Sequence, residues 1–407
     1  MSYTYTDEIK FANTTNFDAF GRLRVSNPFT LFDSSHRFAD NGLWATSTAT
    51  GGTATFNSSQ GLIDLAVTAA SGSEVVRETT KVFSYQPGKS LLVLTTFVMS
   101  AAKTNLRQRA GYYGAENGYY LELDGAAVSF VERSFVTGAV VNTPVAQANW
   151  NVDPMLGTGP SGITLDLTKA QILFMDLEWL GVGTVRMGFV INGNFYVCHK
   201  FHHANIIAST YITSASLPLR YEITNTGATS GPSTLKQICS SVLSEGGYEL
   251  NGLQQAIGIP INAPRTLGSA GTFYPVISLR LKTTRLDGIV ILSALSAMPI
   301  TTGNYNWQLV ATGTTTSGSW VSAGTNSCVE YNITGASFAG GRILASGFFN
   351  ATNQGSSQID LLKEALFKFQ LERNGLTSTP YELTLVVASD SSNDTLVASL
   401  DWEEISR

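Results

Sequence analysis

Hydrophobic and polar positions alternate with period two along most of this chain, and almost nowhere with the period of a helix. Eight early runs carry the alternation: GLIDLAVTA (61–69), KSLLVLTTFVMS (89–100), NGYYLELDG (117–125), AAVSFVERS (126–134), AQILFMDLEWL (170–180), GTVRMGFVING (183–193), NFYVCHKF (194–201) and LPLRYEIT (217–224). Gly, Asn and Ser bound them, so each predicts a strand. Asp124-Gly125 and Asn192-Gly193 stand between consecutive runs and predict two-residue hairpin turns. Sequential antiparallel strands with short turns predict a two-sheet β-sandwich or jelly roll.

The rhythm stops across GGYELNGLQQAIGIPINAPR (246–265), rich in Gly and Asn with two prolines. It resumes in TFYPVISLRLK (272–282), DGIVILSALSA (287–297), YNWQLVATG (305–313), SCVEYNIT (327–334), GRILASGFF (341–349), ALFKFQLER (365–373), YELTLVVAS (381–389) and TLVASLDWEE (395–404). A second all-β domain is therefore expected, with at most one helical turn opening SQIDLLKEALFKF. The first 38 residues differ: they are polar, with Phe17, Phe20, Phe29, Phe32 and Phe38. Two readings fit them, an arm lying on a partner or a segment packed on its own sandwich. The expected organisation is an arm over 1–38, a sandwich over 39–250 and a second over 251–407. Phe20, Arg22, Arg24 and Phe29 are the candidate assembly residues of the arm.

Composition narrows the class. Charged residues make up 14% of the chain, against a typical ~25%. The polar surface is built instead from Ser, Thr, Asn and Gly, which suits β-structure and burial in a large assembly, where interface cores are depleted of charge. The net charge is −5 and no basic cluster exists to displace counterions, so nucleic acid is not an expected partner. No apolar run reaches the ~18 residues of a membrane helix; the longest is DGIVILSALSAM (287–298). The start, MSYTYTDEIK, is unlike a signal peptide. Cys198, Cys239 and Cys328 are odd in number and match no metal knuckle. Folding in a reducing cytoplasm without disulfides is the expectation.

Three constellations suggest chemistry. Asp176 and Glu178 are two apart on a strand and would share a face, as the paired carboxylates of retaining glycosidases do. The strand motif of laminarinase-like glycosidases begins with a glutamate, and Phe174 stands in that place here. One essential carboxylate is missing, so no catalytic residue is expected. His199, His202 and His203 fall within five residues, yet zinc needs three or four converging ligands. Hydrogen bonding across a sheet is the expected role, and metal binding stays open. Gly181-Val182-Gly183 lacks a following helix or GK[ST] and predicts a tight turn, with no phosphate cradle. No cofactor is expected. Tyr112, Tyr113, Tyr119 and Tyr120, in GYYGAENGYY, are candidate glycan contacts, with a buried or interface role as the alternative.

Two blocks, DAFGRLRVSNPFTLFDS (18–34) and NWNVDPMLGTGPSGITLDLTKAQILFMDLEWLGVGTVRMGFVINGNFYVCHKFHHANI (149–206), resemble segments of virion structural proteins of tailed bacteriophages. The resemblance implies a concanavalin-like β-sandwich in the virion, assembled in the host cytoplasm and surrounded by other virion proteins. It implies a homo-oligomer and carries over no catalytic residues. Within the particle, the tail, baseplate or fibre apparatus, touching a host surface glycan, competes with a capsid decoration or head fibre. Readings of another class are a carbohydrate-binding module and an atypical glycosidase.

Overall fold

The computed structural model describes Asp18, Leu23 and residues 27–85, 88–246, 252–352, 355–356 and 369–406. Two compact units emerge: Met1–Thr79 with Phe83–Tyr248, and Thr80–Val82 with Glu249–Arg407.

The first unit holds strands β1 (Pro28–Ser35), β2 (Trp44–Ala49), β3 (Thr53–Asn57), β4 (Leu62–Val67), β5 (Glu74–Thr79) and β6 (Phe83–Ser84). Next come β7 (Leu91–Val98), β8 (Leu106–Tyr113), β9 (Gly118–Asp124), β10 (Ala127–Ser134), β11 (Val141–Ala146) and β12 (Gln171–Leu177). The series closes with β13 (Val185–Ile191), β14 (Asn194–Phe201), β15 (Ser216–Leu217), β16 (Leu219–Asn225) and β17 (Ser233–Glu245). Among the described residues, one sheet runs β14-β13-β12-β7-β17-β4-β3, with β1 also paired to β17. The second sheet runs β11-β10-β9-β8-β16-β5-β2. Both are antiparallel. Leu91, Val93 and Phe97 of β7 and Leu173, Met175 and Leu177 of β12 meet Ala110, Tyr112, Leu121 and Tyr221 of the other sheet in one core. Each such side chain withdrawn from water contributes about 1.5–3 kcal/mol before entropy is counted. The sandwich expected from the alternation is the fold that forms.

Both hairpins form. Ile191 pairs with Asn194, leaving Asn192 and Gly193 at φ +52° and +78°, the left-handed pair of a type I′ turn. Asp124 pairs with Ala127, so the central residues of the other turn are Gly125 and Ala126, one position later than expected. Gly125, at φ +57°, takes the first central place, as type II′ requires.

The described part of the expected arm belongs to the sandwich. β1 lies in register along β17, and Phe32 enters the core, so Pro28–Ser35 packs on its own sandwich. Phe29 sits on β1 opposite Ser244 and is partly exposed. Phe17, Phe20, Arg22 and Arg24 lie outside the described residues.

Strands β2, β3, β5, β8 and β17 carry no clean apolar alternation. β17 is the clearest case: Gln237, Ser240 and Ser244 are buried beside Leu235 and Val242. Hydrogen bonds compensate for part of that polarity, since Tyr221 and Ser240 share one at 2.9 Å.

The second unit is also antiparallel β-structure. Its larger sheet orders Val321–Ser322, Val329–Asn332, Tyr274–Leu281, Glu382–Ser389, Gly303–Thr316, Arg342–Thr352 and Gly355–Ser356, with Ser337–Ala339 beside Gly303–Thr316. The smaller sheet centres on Thr395–Ser406, flanked by Leu253–Gly258, Arg265–Thr266 and Ile289–Pro299. Trp402, Tyr305, Trp307 and Phe349 anchor the core of this unit. The helical turn expected in SQIDLLKEALFKF falls on residues 357–368, outside those described.

Candidate functional site

The outward face of the seven-stranded sheet carries the densest chemistry of the first unit. Successive residues of a strand point to opposite faces. Here Ala110, Tyr112, Tyr119, Leu121 and Tyr221 point inward, so Arg107, Arg109, Tyr113, Tyr120, Glu122, Arg220 and Glu222 point outward. Register then builds rows across the strands. One row is Glu122, Arg109 and Glu222. The next is Tyr120, Gly111, Arg220 and Glu78. Another is Arg133, Gly118 and Tyr113.

Acids and bases alternate along the first row and meet at the end of the second. Arg109 Nε donates to Glu122 at 2.6 Å and its Nη1 to Glu222 at 3.0 Å. Arg107 reaches Glu222 at 3.1 Å, and Arg220 lies 3.5 Å from both Glu78 and Glu222. Burial would raise the Glu222 carboxyl, but Arg109, Arg220, Arg107 and Arg133 together hold it below its ordinary value. For Arg109, burial works to release the proton, and Glu222, Tyr113, Tyr120 and Glu122 together more than reverse it.

GYYGAENGYY explains the rest of the face. Gly111-Tyr112-Tyr113 pairs antiparallel with Gly118-Tyr119-Tyr120, so Gly111 lies opposite Tyr120 and Gly118 opposite Tyr113. Each outward tyrosine backs onto the other strand's glycine. A Cβ at Gly111 would come within 2.3 Å of the Tyr119 carbonyl, and one at Gly118 within 2.4 Å of the Tyr112 carbonyl. The Tyr113 and Tyr120 rings approach to 4.5 Å. Arg133 sits over both rings at 5.4 and 5.3 Å, and Arg109 lies 5.0 Å from Tyr120. These are cation–π contacts.

The glycan-platform expectation for the tyrosines is therefore corrected. Tyr112, Tyr113, Tyr119 and Tyr120 are each 0% exposed, so none offers a ring to a sugar. Tyr112 and Tyr119 are core residues, with hydroxyls bonded to the Ala215 carbonyl (2.8 Å) and Glu132 (2.5 Å). Tyr120 donates to Asn142 at 3.1 Å. Tyr113 lies among arginines, and its ionisation is pushed up by burial first and then by Glu222.

Asp176 and Glu178 do not form a pair. β12 ends at Leu177, so the shared face is lost one residue before Glu178. Asp176 is buried and bonded by Arg186, its direct cross-strand neighbour, and by Ser90. Glu178 accepts from the Thr184 backbone N–H at 2.9 Å across the WLGVGT turn, the tight turn expected there. Its carboxyl is raised, first by burial and also by Asp18 and Asp176, against the Thr184 N–H.

The histidines separate as well. His199 accepts at Nδ1 from the Asn151 N–H (3.2 Å), and burial lowers its pKa to about 4. His202 is exposed beside Thr184. His203 is buried, stacked on Tyr211 at 4.0 Å, with Nε2 on Glu132 at 2.7 Å and Nδ1 on the Gly183 carbonyl. No cluster of three His, Cys, Asp or Glu residues fit to hold a metal occurs among the described residues.

Sequence reasoning missed the Arg109–Glu222 lattice. Its signal was present: Arg107/Arg109, Glu122/Asp124 and Arg220/Glu222 are charged pairs spaced by two, so each pair shares one face of its strand.

No family model matches the chain, and no curated protein does. Among solved structures, the chain is similar to the Emp47p carbohydrate recognition domain at 11% identity and TM-score 0.34, covering 54% of this chain and 97% of that one. The CBM2 module of the evolved Dit of Lactobacillus casei BL23 phage J-1 gives 8% identity and TM-score 0.34, over 55% and 99% of the two chains. Arcelin-5, a lectin-like defence protein of Phaseolus vulgaris, gives 9% and 0.33, over 54% and 99%. These are lectin-like β-sandwich domains, one of them from a phage.

Proposed function

We propose that this protein is a non-enzymatic structural component of a tailed-bacteriophage virion. It folds in the host cytoplasm and acts as a homo-oligomer among other virion proteins, in the tail apparatus at the host surface. The virion reading rests on the two sequence blocks, 18–34 and 149–206. The observation that supports a non-catalytic role is the state of the carboxylates. Asp176, Glu122 and Glu222 each lie against an arginine of a neighbouring strand. Retaining glycosidases instead hold two carboxyls about 5–5.5 Å apart across the sugar bond. The low charge fits a surface that is largely covered after assembly. Two sandwiches in one chain favour the tail over a small shell-decoration protein.

Cryo-electron microscopy of the intact particle tests this. A few to tens of copies at the tail are expected. Hundreds on the shell would replace the tail placement with a capsid decoration role, and absence from the particle would overturn the reading. The arm is tested by deletion of residues 1–26, which stops short of β1 and so spares the strand on β17. The truncated chain should fold normally and fail to enter particles.

A further inference from the structure

The larger sheet of the second unit presents a face of a different kind. Tyr305, Trp307, Phe349 and Val387 point into its core, so residues 304, 306, 348 and 388 point outward. Register sets Asn306 opposite Phe348 on one side and Ala388 on the other. Asn304 lies opposite Asn350, with Asp390 just past the end of its other neighbour. Ala388 is small, and the floor sinks there. The result is an open hollow of about 270 Å³ lined by Phe273, Phe348, Ala388, Asn304, Asn306 and Asp390, among others.

Three features define what fits. Phe348 is 79% exposed, a flat aromatic ring held mid-strand with almost no cover. Asp390 is fixed by Asn304, which donates from its backbone N–H (3.2 Å) and its Nδ2 (2.6 Å). The lining contains no Lys or Arg, which argues against phosphates and other anions.

We infer that this hollow binds a single ring of a neutral saccharide. A pyranose has an apolar C–H face that packs on an aromatic ring, whose face carries the negative end of its quadrupole. Its hydroxyls donate to the Asp390 carboxylate, which is exposed at the edge of the hollow. The cavity is smaller than the ~300–1,000 Å³ typical of drug-sized ligands, which matches one ring. The inference concerns the isolated chain and is independent of its place in a virion.

The test uses the full-length protein and saturation-transfer-difference NMR. The probes are the methyl glycosides of glucose, galactose, mannose, rhamnose and N-acetylglucosamine at millimolar concentration. At least one is expected to give signal, strongest on the protons of one ring face. Phe348→Ala should weaken that binding by about tenfold or more, a change of ~1.4 kcal/mol, while Phe348→Tyr keeps it. Asp390→Ala should weaken it too. Equal signal in wild type and Phe348→Ala would overturn the inference, as would no signal from any of the five with folded protein. In the second case the exposed ring is better explained as a contact for another protein. Copy number in the particle reads the virion role separately, so the two can fail independently.

Discussion

Two sheet faces in this protein carry aromatic rings beside polar groups, and they end in opposite states. On the seven-stranded sheet, Tyr113 and Tyr120 are closed off by Arg133 and Arg109, and Arg109 is paired with Glu122 and Glu222. On the second unit's larger sheet, Phe348 stands open and a neighbouring Asn306 oxygen has no hydrogen-bond partner among the described residues. The difference lies in charge. Four arginines and several carboxylates in register can neutralise each other within the face. The lining of the hollow holds one carboxylate and several amides but no cation to close it.

The largest effect should come from breaking the closed face. Glu222→Ala leaves Arg109, Arg220 and Arg107 without a shared counter-charge. A loss of about 3–5 kcal/mol is expected, as for other buried ion pairs missing one member, and denaturant unfolding measures it. A change under 1 kcal/mol would mean the lattice is well solvated.

Next is Gly111→Ala, which places a methyl against the Tyr119 carbonyl and the Tyr120 backbone. The strand must shift, at a cost of about 1–3 kcal/mol or more. The same substitution at Gly125, where no neighbour is nearer than 3.9 Å, tests the turn alone, since its φ is +57°.

A pH effect follows from His199. Its folded pKa, about 4, is below the ordinary 6.5, so the unfolded chain binds the proton more tightly. Its contribution to stability is complete above pH 6.5 and declines as the pH falls towards 4. The decline should amount to on the order of 1–3 kcal/mol and disappear in His199→Gln, as thermal melts across that range would record.

Smallest of all should be Phe348→Ala. At 79% exposure the ring contributes little to folding, and the change should stay within about 0.5 kcal/mol. Stability unchanged while sugar binding falls would set the two faces apart most sharply.

Much of the fold was legible. The runs at 89–100 and 183–201 alternate cleanly, and the Asn192-Gly193 turn formed where expected. β17 was not legible, because buried Ser and Gln break its apolar phase, and only partners such as Tyr221 make those positions tolerable. Asp176 and Glu178 misled for a local reason: the strand stops between them. The tyrosines misled for a non-local one. GYYGAENGYY announces aromatic strands, but nothing in it says that two rings enter a core and two are roofed by arginines from β8 and β10.

By itself, the sequence determined the period of the backbone and therefore the all-β class, and it placed the Asn192-Gly193 turn. Only the tertiary structure decided which faces are closed. That outcome depends on register between strands far apart in the chain. Arg109 finds Glu222 across 113 residues, and the distance dependence of charge and packing rewards a partner only once it is adjacent. Phe348 remains open for the same reason: none of the strands that register beside it brings a charge or a large side chain to cover it.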